Sequence, residues 1–578
     1  MSRLSKLVSR AFMRKRSKRQ QQPSRADPSS PERESNDEMF ISVDAPRFST
    51  FHTPSSIGNG RLPLSTPSFD ALGAISENEV VCILPPAAAK SSSEPYYTVY
   101  TLTESPVDHA SGDGPSARKG PFTLQALHVP ADQAPAYSSL LGQYLLTGEK
   151  AQRASLLSDD VEVDVIISTR SGLGLAREFY ESVLKEILEA LGRPLLEDEG
   201  KGGSKGHRIT VTKDGNTIKE FAQGLGKAAA DSTVKNKLVL LLSGDGGVVD
   251  MLNGLETSWL SQQSAKQAGE REQMTLSSPA VALLPLGTAN ALFHSLHKSL
   301  HQQAGSNGPS PLVLSLRTLL FGVPAALPTF RTEFSPGARL VAGPSEPTHA
   351  PTTAEDMHSS AAGTVQVGHL LGAIVASYGF HASLVWESDT PAYRKHGDKR
   401  FGMAAAELLR EAHGYDAVVD IRRQQQLDTE SIRLYHGAVA DHRCSYVLTT
   451  LVSNLERTFT ISPRGKPLDG QLRLVHFGDV GGDRTMEIMQ AAYREGEHIG
   501  MQDVGYEPPA EDGTLEEVTV TVNEDDPRWR KVCVDGTIVE LEQGGWMRVR
   551  REKGQWLRIL VDRCVAEQTE KLRNAIGP

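Results

Sequence analysis

Four short apolar runs, Val163–Ile167, Arg208–Val211, Lys237–Leu242 and Ala280–Leu286, are each followed by a segment whose apolar residues recur at helical spacing. Near-continuous apolar strands alternating with amphipathic helices are what a parallel sheet covered on both faces requires. Residues 156–322 are therefore read as an α/β lobe. In such sheets ligands collect at the carboxyl ends of the strands, where glycines let the main chain approach closely and helix N-termini offer unpaired N–H groups to anions. Three turns fit that role: Arg170, Ser171, Gly172 and Gly174 after the first strand, Ser243 to Gly247 after the third, and Gly287, Thr288, Ala289 and Asn290 after the fourth. Each alone is an ordinary turn or helix entry. All three in one sheet point to a nucleotide phosphate site.

The length, 578 residues, supports further domains. Residues 323–565 hold β-branched or alternating runs bounded by turn residues, from VGHLLGAIVASYGF through EVTVTVN and KVCVDGTIVEL to QWLRILVD, as a β-rich, sandwich-like second lobe would. Within it, 335–363 is rich in Pro, Ser, Thr and Ala and reads as a disordered surface insertion. Residues 68–155 read as a small β-rich module, and 566–578 as a C-terminal tail. Met1 to Arg25 carries many Lys and Arg and no acid, with Leu4, Leu7, Val8, Ala11 and Phe12 at helical spacing. This segment suits a basic amphipathic helix on an anionic membrane surface, a mitochondrial presequence, or a solvated basic tail. From there to Pro67 the composition predicts disorder.

Lys and Arg total 61 against 71 Asp and Glu, a formal net charge of -10. That balance argues against a nucleic-acid-coating protein. Cys82, Cys444, Cys533 and Cys564 lie far apart without a C-x-x-C pair, which suggests neither a disulfide framework nor a thiolate zinc site and fits a reducing compartment. No run approaches the roughly 18 apolar residues that a bilayer span needs. Membrane contact is expected to be peripheral, from the cytoplasm or, alternatively, inside mitochondria.

SGDGGVVDMLNGL resembles the SGDG block of the sphingosine kinase and diacylglycerol kinase catalytic family, and LPLGTANAL resembles its G-T/S-x-N partner. SYGFHASLVWES, KRFGMAAAELL and KVCVDGTIVE are similar to later blocks of that family, so the resemblance spans about Val161 to Leu541. It implies a lipid kinase with ATP as co-substrate and Mg2+ as cofactor, acting on a membrane lipid in a cleft between the two lobes. Asp245 would be the catalytic carboxylate, acting as base or holding the base by hydrogen bonding. ATP contacts would come from Arg170, Ser171, Gly172, Ser243, Gly244, Gly246, Gly247, Gly287, Thr288, Asn290, Arg400, Asp535 and Gly536. Ser383 and Glu387 would border the lipid. No metal ligand is assigned.

The departures bear on substrate. Ser168 stands where the family commonly has Asn, Ser171 replaces a loop glycine, Asp250 stands for a Glu, and Thr537 follows Val534-Asp535-Gly536 where many members place Glu, with Glu540 as a substitute if the strand bends. Ser383 and Val385 occupy positions where sphingosine kinases carry acids that grip the amine of the lipid. A sphingoid long-chain base is the first expected acceptor. Diacylglycerol, ceramide, or a non-catalytic lipid-binding role are the alternatives, with a soluble nucleotide kinase more remote.

Overall fold

The computed structural model describes residues 76–86, 95–105, 120–148, 150, 155–196, 205–229, 236–265, 278–304, 308–341, 365–396, 399–425, 428–436, 443–509 and 513–576. The basic segment and the stretch to Pro67, together with 342–364 of the insertion, lie outside them. The described residues all belong to the unit spanning Ile75–Pro578.

The expected parallel sheet is present with six strands, in the order His207–Val211, Val161–Ile167, Asn236–Ser243, Ala280–Pro285, Arg558–Val561 and Val323–Ala326. The first five run parallel, with Val165 opposite both Ile209 and Leu240, and Leu240 opposite Ala282. The sixth is antiparallel. Two of these strands correct the sequence reading, which placed 323–565 wholly in the second lobe. The run RILV buries Ile559 and Leu560 on opposite faces, as a strand covered on both sides must. Nothing local in the sequence says which sheet such a strand joins. The expected tail at 566–578 is also corrected, because a helix spans Arg563–Ile576. It buries Val565 and Thr569, and the Thr569 hydroxyl donates to the Pro467 carbonyl at 3.2 Å.

The first β-rich segment forms a three-stranded antiparallel sheet of Val80–Leu84, Tyr96–Glu104 and Phe122–Pro130. It shares its core with the α/β lobe: Cys82, Leu102 and Phe122 pack in one cluster with Val163, Phe179 and Leu316. Arg317 reinforces the joint, its Nε donating to the Val80 carbonyl at 2.9 Å.

Among the described residues the second lobe has a two-stranded antiparallel sheet, Asn454–Glu456 with Phe459–Thr460, and two large ones. One orders Arg339–Leu340, Thr537–Glu540, Lys531–Val534, Val375–Gly379, Cys444–Thr450, Arg473–Gly478 and Val504–Glu507. The start of the expected insertion is thus ordered, since Arg339–Leu340 pairs with Val539 and Glu540. The other sheet orders His369–Gly372, Phe330–Phe334, Trp546–Arg551, Thr514–Val522, Ala417–Gln425 and Asp428–His436. Alternation along Thr514–Val522 buries Leu515, Val518, Val520 and Val522. Pro467–Gly470 lies in a loop between strands that do not pair with each other, where Asp469 accepts from the Gln471 N–H at 2.9 Å. Three helices complete the lobe: Phe380–Ser388 packs on the seven-stranded sheet, Arg400–Glu411 on that helix, and Gly481–Ala492 on Arg400–Glu411.

The lobes are joined behind the cleft through the helix Asp245–Ala265. The Asn253 side chain accepts from the Leu371 N–H and donates to the Leu371 carbonyl, both at 3.0 Å. One turn on, Glu256 pairs with Arg331 at 2.6 Å and His369 at 3.1 Å. Gly254 allows the crossing with Thr217–Ala229, because a Cβ there would lie 2.4 Å from the Lys219 carbonyl oxygen.

Candidate active site

The three glycine turns converge. A Cβ on Gly287 would fall 2.3 Å from the Gly244 Cα, and one on Gly172 2.3 Å from the Leu286 carbonyl oxygen. Only glycine lets these backbones meet, and Gly172 also takes φ +55°. The serines knit the first two loops together. Ser171 Oγ lies 2.7 Å from Ser168 Oγ and 3.4 Å from Ser243 Oγ, and it accepts from the Gly244 N–H at 3.4 Å. Asn290, left-handed at φ 54°, holds the third loop: its Oδ1 accepts from the Gly287 N–H at 3.1 Å and its Nδ2 donates to the Gly287 carbonyl at 2.9 Å. Arg170 is exposed on the first loop, where its charge acts on Asp214.

Asp245 opens its helix and reaches across to cap another. Its Oδ2 accepts from the Ala291 N–H at 2.7 Å and its Oδ1 from the Leu292 N–H at 3.1 Å, serving the N-terminus of Ala291–Leu296. Asn290, the residue before that helix, makes no side-chain cap itself. Burial pushes the Asp245 carboxyl up to about 6 against these two bonds. On the facing lobe, Asp535 sits at φ 47° in the turn between Lys531–Val534 and Thr537–Glu540. Its carboxylate accepts from the N–H groups of Ala373 at 2.6 Å, Ile374 at 3.1 Å and Val375 at 2.6 Å. Burial, with the Asp245 charge adding to it, raises Asp535 to about 7.

Between these carboxylates lies a cavity of about 590 Å³ lined by both lobes. Asp245, Gly246, Asp250, Thr288 and Ala289 form its wall on the nucleotide lobe, and Asp535, Gly536 and Thr537 face them. The rest is mostly apolar and comes largely from helices of the second lobe, with Leu384 and Val385, then Phe401, Ala405 and Leu409 at four-residue spacing, then Met486 and Met489, and from strand residues such as Tyr446 and Phe459. Arg400 borders it as well, paired with Asp389 at 3.2 Å.

Of the sequence-derived site residues, Asp245, Gly246, Thr288, Arg400, Asp535 and Gly536 line this cavity, while Arg170, Ser171, Gly172, Ser243, Gly244, Gly247, Gly287 and Asn290 build the loops beside it. Ser383 and Glu387 are not on its wall. Ser383 is buried and accepts from the Tyr415 hydroxyl at 2.8 Å, and Glu387 pairs with Arg528 at 3.1 Å. Cavity residues with no sequence signal of their own are His381, Glu456 and Tyr493. His381 Nδ1 lies 2.8 Å from Ser377 Oγ, and burial lowers the ring to about 4. The Tyr493 hydroxyl donates to Glu456 at 3.5 Å. The family's Mg2+ would be carried chiefly by nucleotide phosphates with one or two protein carboxylates. Asp245, a carboxylate beside the phosphate loops, fits that donor chemistry. Among the described residues, no group of three acidic, His or Cys side chains could hold a metal by itself.

The glycine loops of the α/β lobe and the turn at Asp535 of the β-rich lobe thus face one another across a carboxylate-bearing, largely apolar cavity. Residues 162–306 match the diacylglycerol kinase catalytic domain family, in line with the resemblance carried by the glycine-loop motifs. Similar solved structures include two from Bacillus anthracis str. Sterne. One is a candidate diacylglycerol kinase at 12% identity, covering 70% of this chain and 98% of its own with a TM-score of 0.40. The other is a diacylglycerol kinase at 10% identity, the same coverage and a TM-score of 0.36. No curated protein matches the chain.

Proposed function

We propose that this protein transfers the γ-phosphoryl group of ATP to a hydroxyl of a long-chain lipid, with a sphingoid base as the first acceptor. The observation that carries this is the cavity itself, in which phosphate-loop residues and Asp245 form one wall and helix-borne apolar side chains most of the rest. An acyl or sphingoid chain against the apolar wall would present its hydroxyl to the phosphate end. The hydroxyl oxygen attacks the γ-phosphorus, the bond to the β–γ bridging oxygen breaks, and ADP leaves. Mg2+ neutralises phosphate charge when bound. This chain's own part is to position both substrates, with Asp245 fixing the phosphate loop against the helix Ala291–Leu296, and to accept the hydroxyl proton.

The amine of a sphingoid base needs a counter-charge once buried. Ser383 is turned away from the cavity and Val385 supplies only apolar surface. Glu456 is the second-lobe carboxylate that borders the cavity among apolar neighbours, and it is the proposed partner. No helix among the described residues is long and apolar enough to cross a membrane. The lipid is therefore proposed to be taken from a membrane surface, with Met1 to Arg25 as the anionic-lipid contact.

The test uses full-length chain, labelled ATP and mixed micelles containing sphingosine, ceramide or diacylglycerol. Label is expected first in sphingosine. Loss of a charge-assisted contact of about 1.5–3 kcal/mol in Glu456→Gln should reduce the preference for sphingosine over diacylglycerol roughly tenfold or more. Transfer to diacylglycerol or ceramide alone would reassign the acceptor, and transfer to none would end the lipid-kinase reading.

A further inference from the structure

The second-lobe wall of the cavity carries a polar ring among apolar neighbours, His381 in the first turn of the helix Phe380–Ser388. Its Nδ1 is taken, lying 2.8 Å from Ser377 Oγ. Ser377 is itself buried in the strand Val375–Gly379, opposite Cys533 of the neighbouring strand, and hydrogen-bonds the Cys533 thiol. The ring is therefore fixed at one edge. At its other edge Nε2 has no partner among the described residues. Unlike His476 Nε2 and His498 Nδ1, which are unpaired and fully enclosed, it keeps accessible surface, and the open space beside His381 is the cavity.

The strand sets the depth at which this nitrogen stands. Two residues before Ser377, Val375 donates its N–H to Asp535 at 2.6 Å, beside Gly536 and Thr537 at the phosphate end of the cavity. Strand geometry puts Ser377 roughly 7 Å further along. His381 thus meets the headgroup region of a lipid. A methylene against Nε2 would leave the nitrogen desolvated and unpaired, which is costly, so a polar group of the ligand belongs there. Burial lowers the ring to about 4, and the imidazole is neutral at physiological pH. A neutral ring nitrogen donates in one tautomer and accepts in the other. A hydroxyl complements both, whereas an ester carbonyl complements the donor alone.

We propose that His381 Nε2 hydrogen-bonds a second hydroxyl of the acceptor lipid, close to the hydroxyl that is phosphorylated, and so selects a long-chain diol over a lipid whose neighbouring oxygens are esters. This rests on the lipid-kinase reading and adds a specificity-determining residue to it. Sphinganine carries such a pair of hydroxyls, its 3-deoxy analogue lacks the second, and diacylglycerol has esters in its place.

The test measures kcat/KM for sphinganine and its 3-deoxy analogue with wild type, His381→Phe and His381→Gln, using full-length chain, labelled ATP and mixed micelles. Wild type should favour sphinganine by about threefold to tenfold, the range of one net hydrogen bond between neutral groups. His381→Phe keeps a flat ring but no nitrogen, and should bring the ratio close to one. His381→Leu serves the same purpose should the phenyl ring not be accommodated. His381→Gln, which returns an amide to this edge of the cavity, should restore part of the ratio. Each ratio is taken on a single protein, so a loss of folded protein lowers both rates and cancels. A wild-type ratio near one, or a wild-type ratio retained in the apolar variants, overturns the assignment. Binding of the same two lipids without ATP separates this assignment from the kinase reading. If wild type phosphorylates neither lipid yet binds sphinganine more tightly, and His381→Phe levels the two, the lipid-kinase reading fails and His381 keeps its role. Phosphorylation of both lipids without discrimination keeps the kinase reading and ends that of His381. A chain that neither binds nor phosphorylates either lipid overturns both.

Discussion

A carboxylate oxygen that accepts a main-chain N–H cannot be exchanged for an amide NH2 without setting donor against donor, and Asp535 meets three such N–H groups. From the sequence Asp535 is a nucleotide contact, since it sits in a V-D-G turn. In the fold its carboxylate is a clip that fastens this turn to the segment Ala373–Val375, so that Gly536 and Thr537 face the cleft. Asp535→Asn should therefore cost about 1–3 kcal/mol for buried groups left unpaired. Urea unfolding would read this as a lower midpoint with an unchanged slope, while ATP affinity measured below the transition should hold. A variant of wild-type stability that has lost ATP binding would return Asp535 to the nucleotide. Asp245 combines the two kinds of role, bordering the cavity and capping a helix, so its replacement should cost stability as well.

The turns between strand and helix show the same contrast between packing and open space. Gly287 and Gly246 look alike in sequence, each a glycine in a phosphate-type loop. A Cβ on Gly287 would sit 2.3 Å from the Gly244 Cα and 2.8 Å from Asn290 Oδ1, whereas one on Gly246 would meet nothing within 4 Å. Gly287→Ala should lower the unfolding temperature, by the equivalent of about 1–3 kcal/mol for overpacking. Gly246→Ala should leave unfolding nearly unchanged and act on ATP affinity alone, through its place on the cavity wall. Calorimetry of both variants checks this, and equal unfolding temperatures would contradict the packing. The strands, helices and three loops of the nucleotide lobe were legible because periodicity and glycine position are local signals. The fifth strand, Arg558–Val561, was not, because its partner Ala280–Pro285 lies far away in the chain. Nor were Glu456 and Tyr493, which only the stacking of strand and helix brings to the cavity. Leu384, Phe401 and Met486 are apolar residues on helices, and nothing in their spacing distinguishes a face that packs from one that leaves room.

Across the whole molecule, groups withdrawn from water sense pH in opposite directions. Seven histidines among the described residues are held towards the neutral ring, with burial lowering His207, taking His294 to about 3, and taking His297, His301, His381, His476 and His498 to about 4. Carboxyls move the other way: burial raises Glu104, Asp164 and Asp469, and three reach the range of the histidines' ordinary value, Asp245 and Asp250 at about 6 and Asp535 at about 7. As pH falls from about 6.5, the unfolded chain protonates its histidines while the folded chain does not, so each histidine withdraws stability until its own low value is reached. Over the same interval the folded chain protonates the three carboxyls while the unfolded chain, with ordinary values near 4, does not, so each carboxyl returns stability. These histidines outnumber the three carboxyls that titrate in this interval, and the net proton uptake belongs to the unfolded state. Stability should therefore drop between about pH 6.5 and 5. The loss falls partly on the junction, where Ser295, beside His294 and His297, exchanges hydrogen bonds of 3.0 Å with the main chain of Asn454. Calorimetric scans from pH 7.5 to 5 should show the unfolding temperature falling steadily. His297→Gln should flatten the fall, because it removes one proton-binding site from the unfolded chain while its amide can still bond Thr318, which His297 Nε2 meets at 2.9 Å. An unfolding temperature that holds or rises on acidification would mean that the carboxyls at the cleft dominate the linkage.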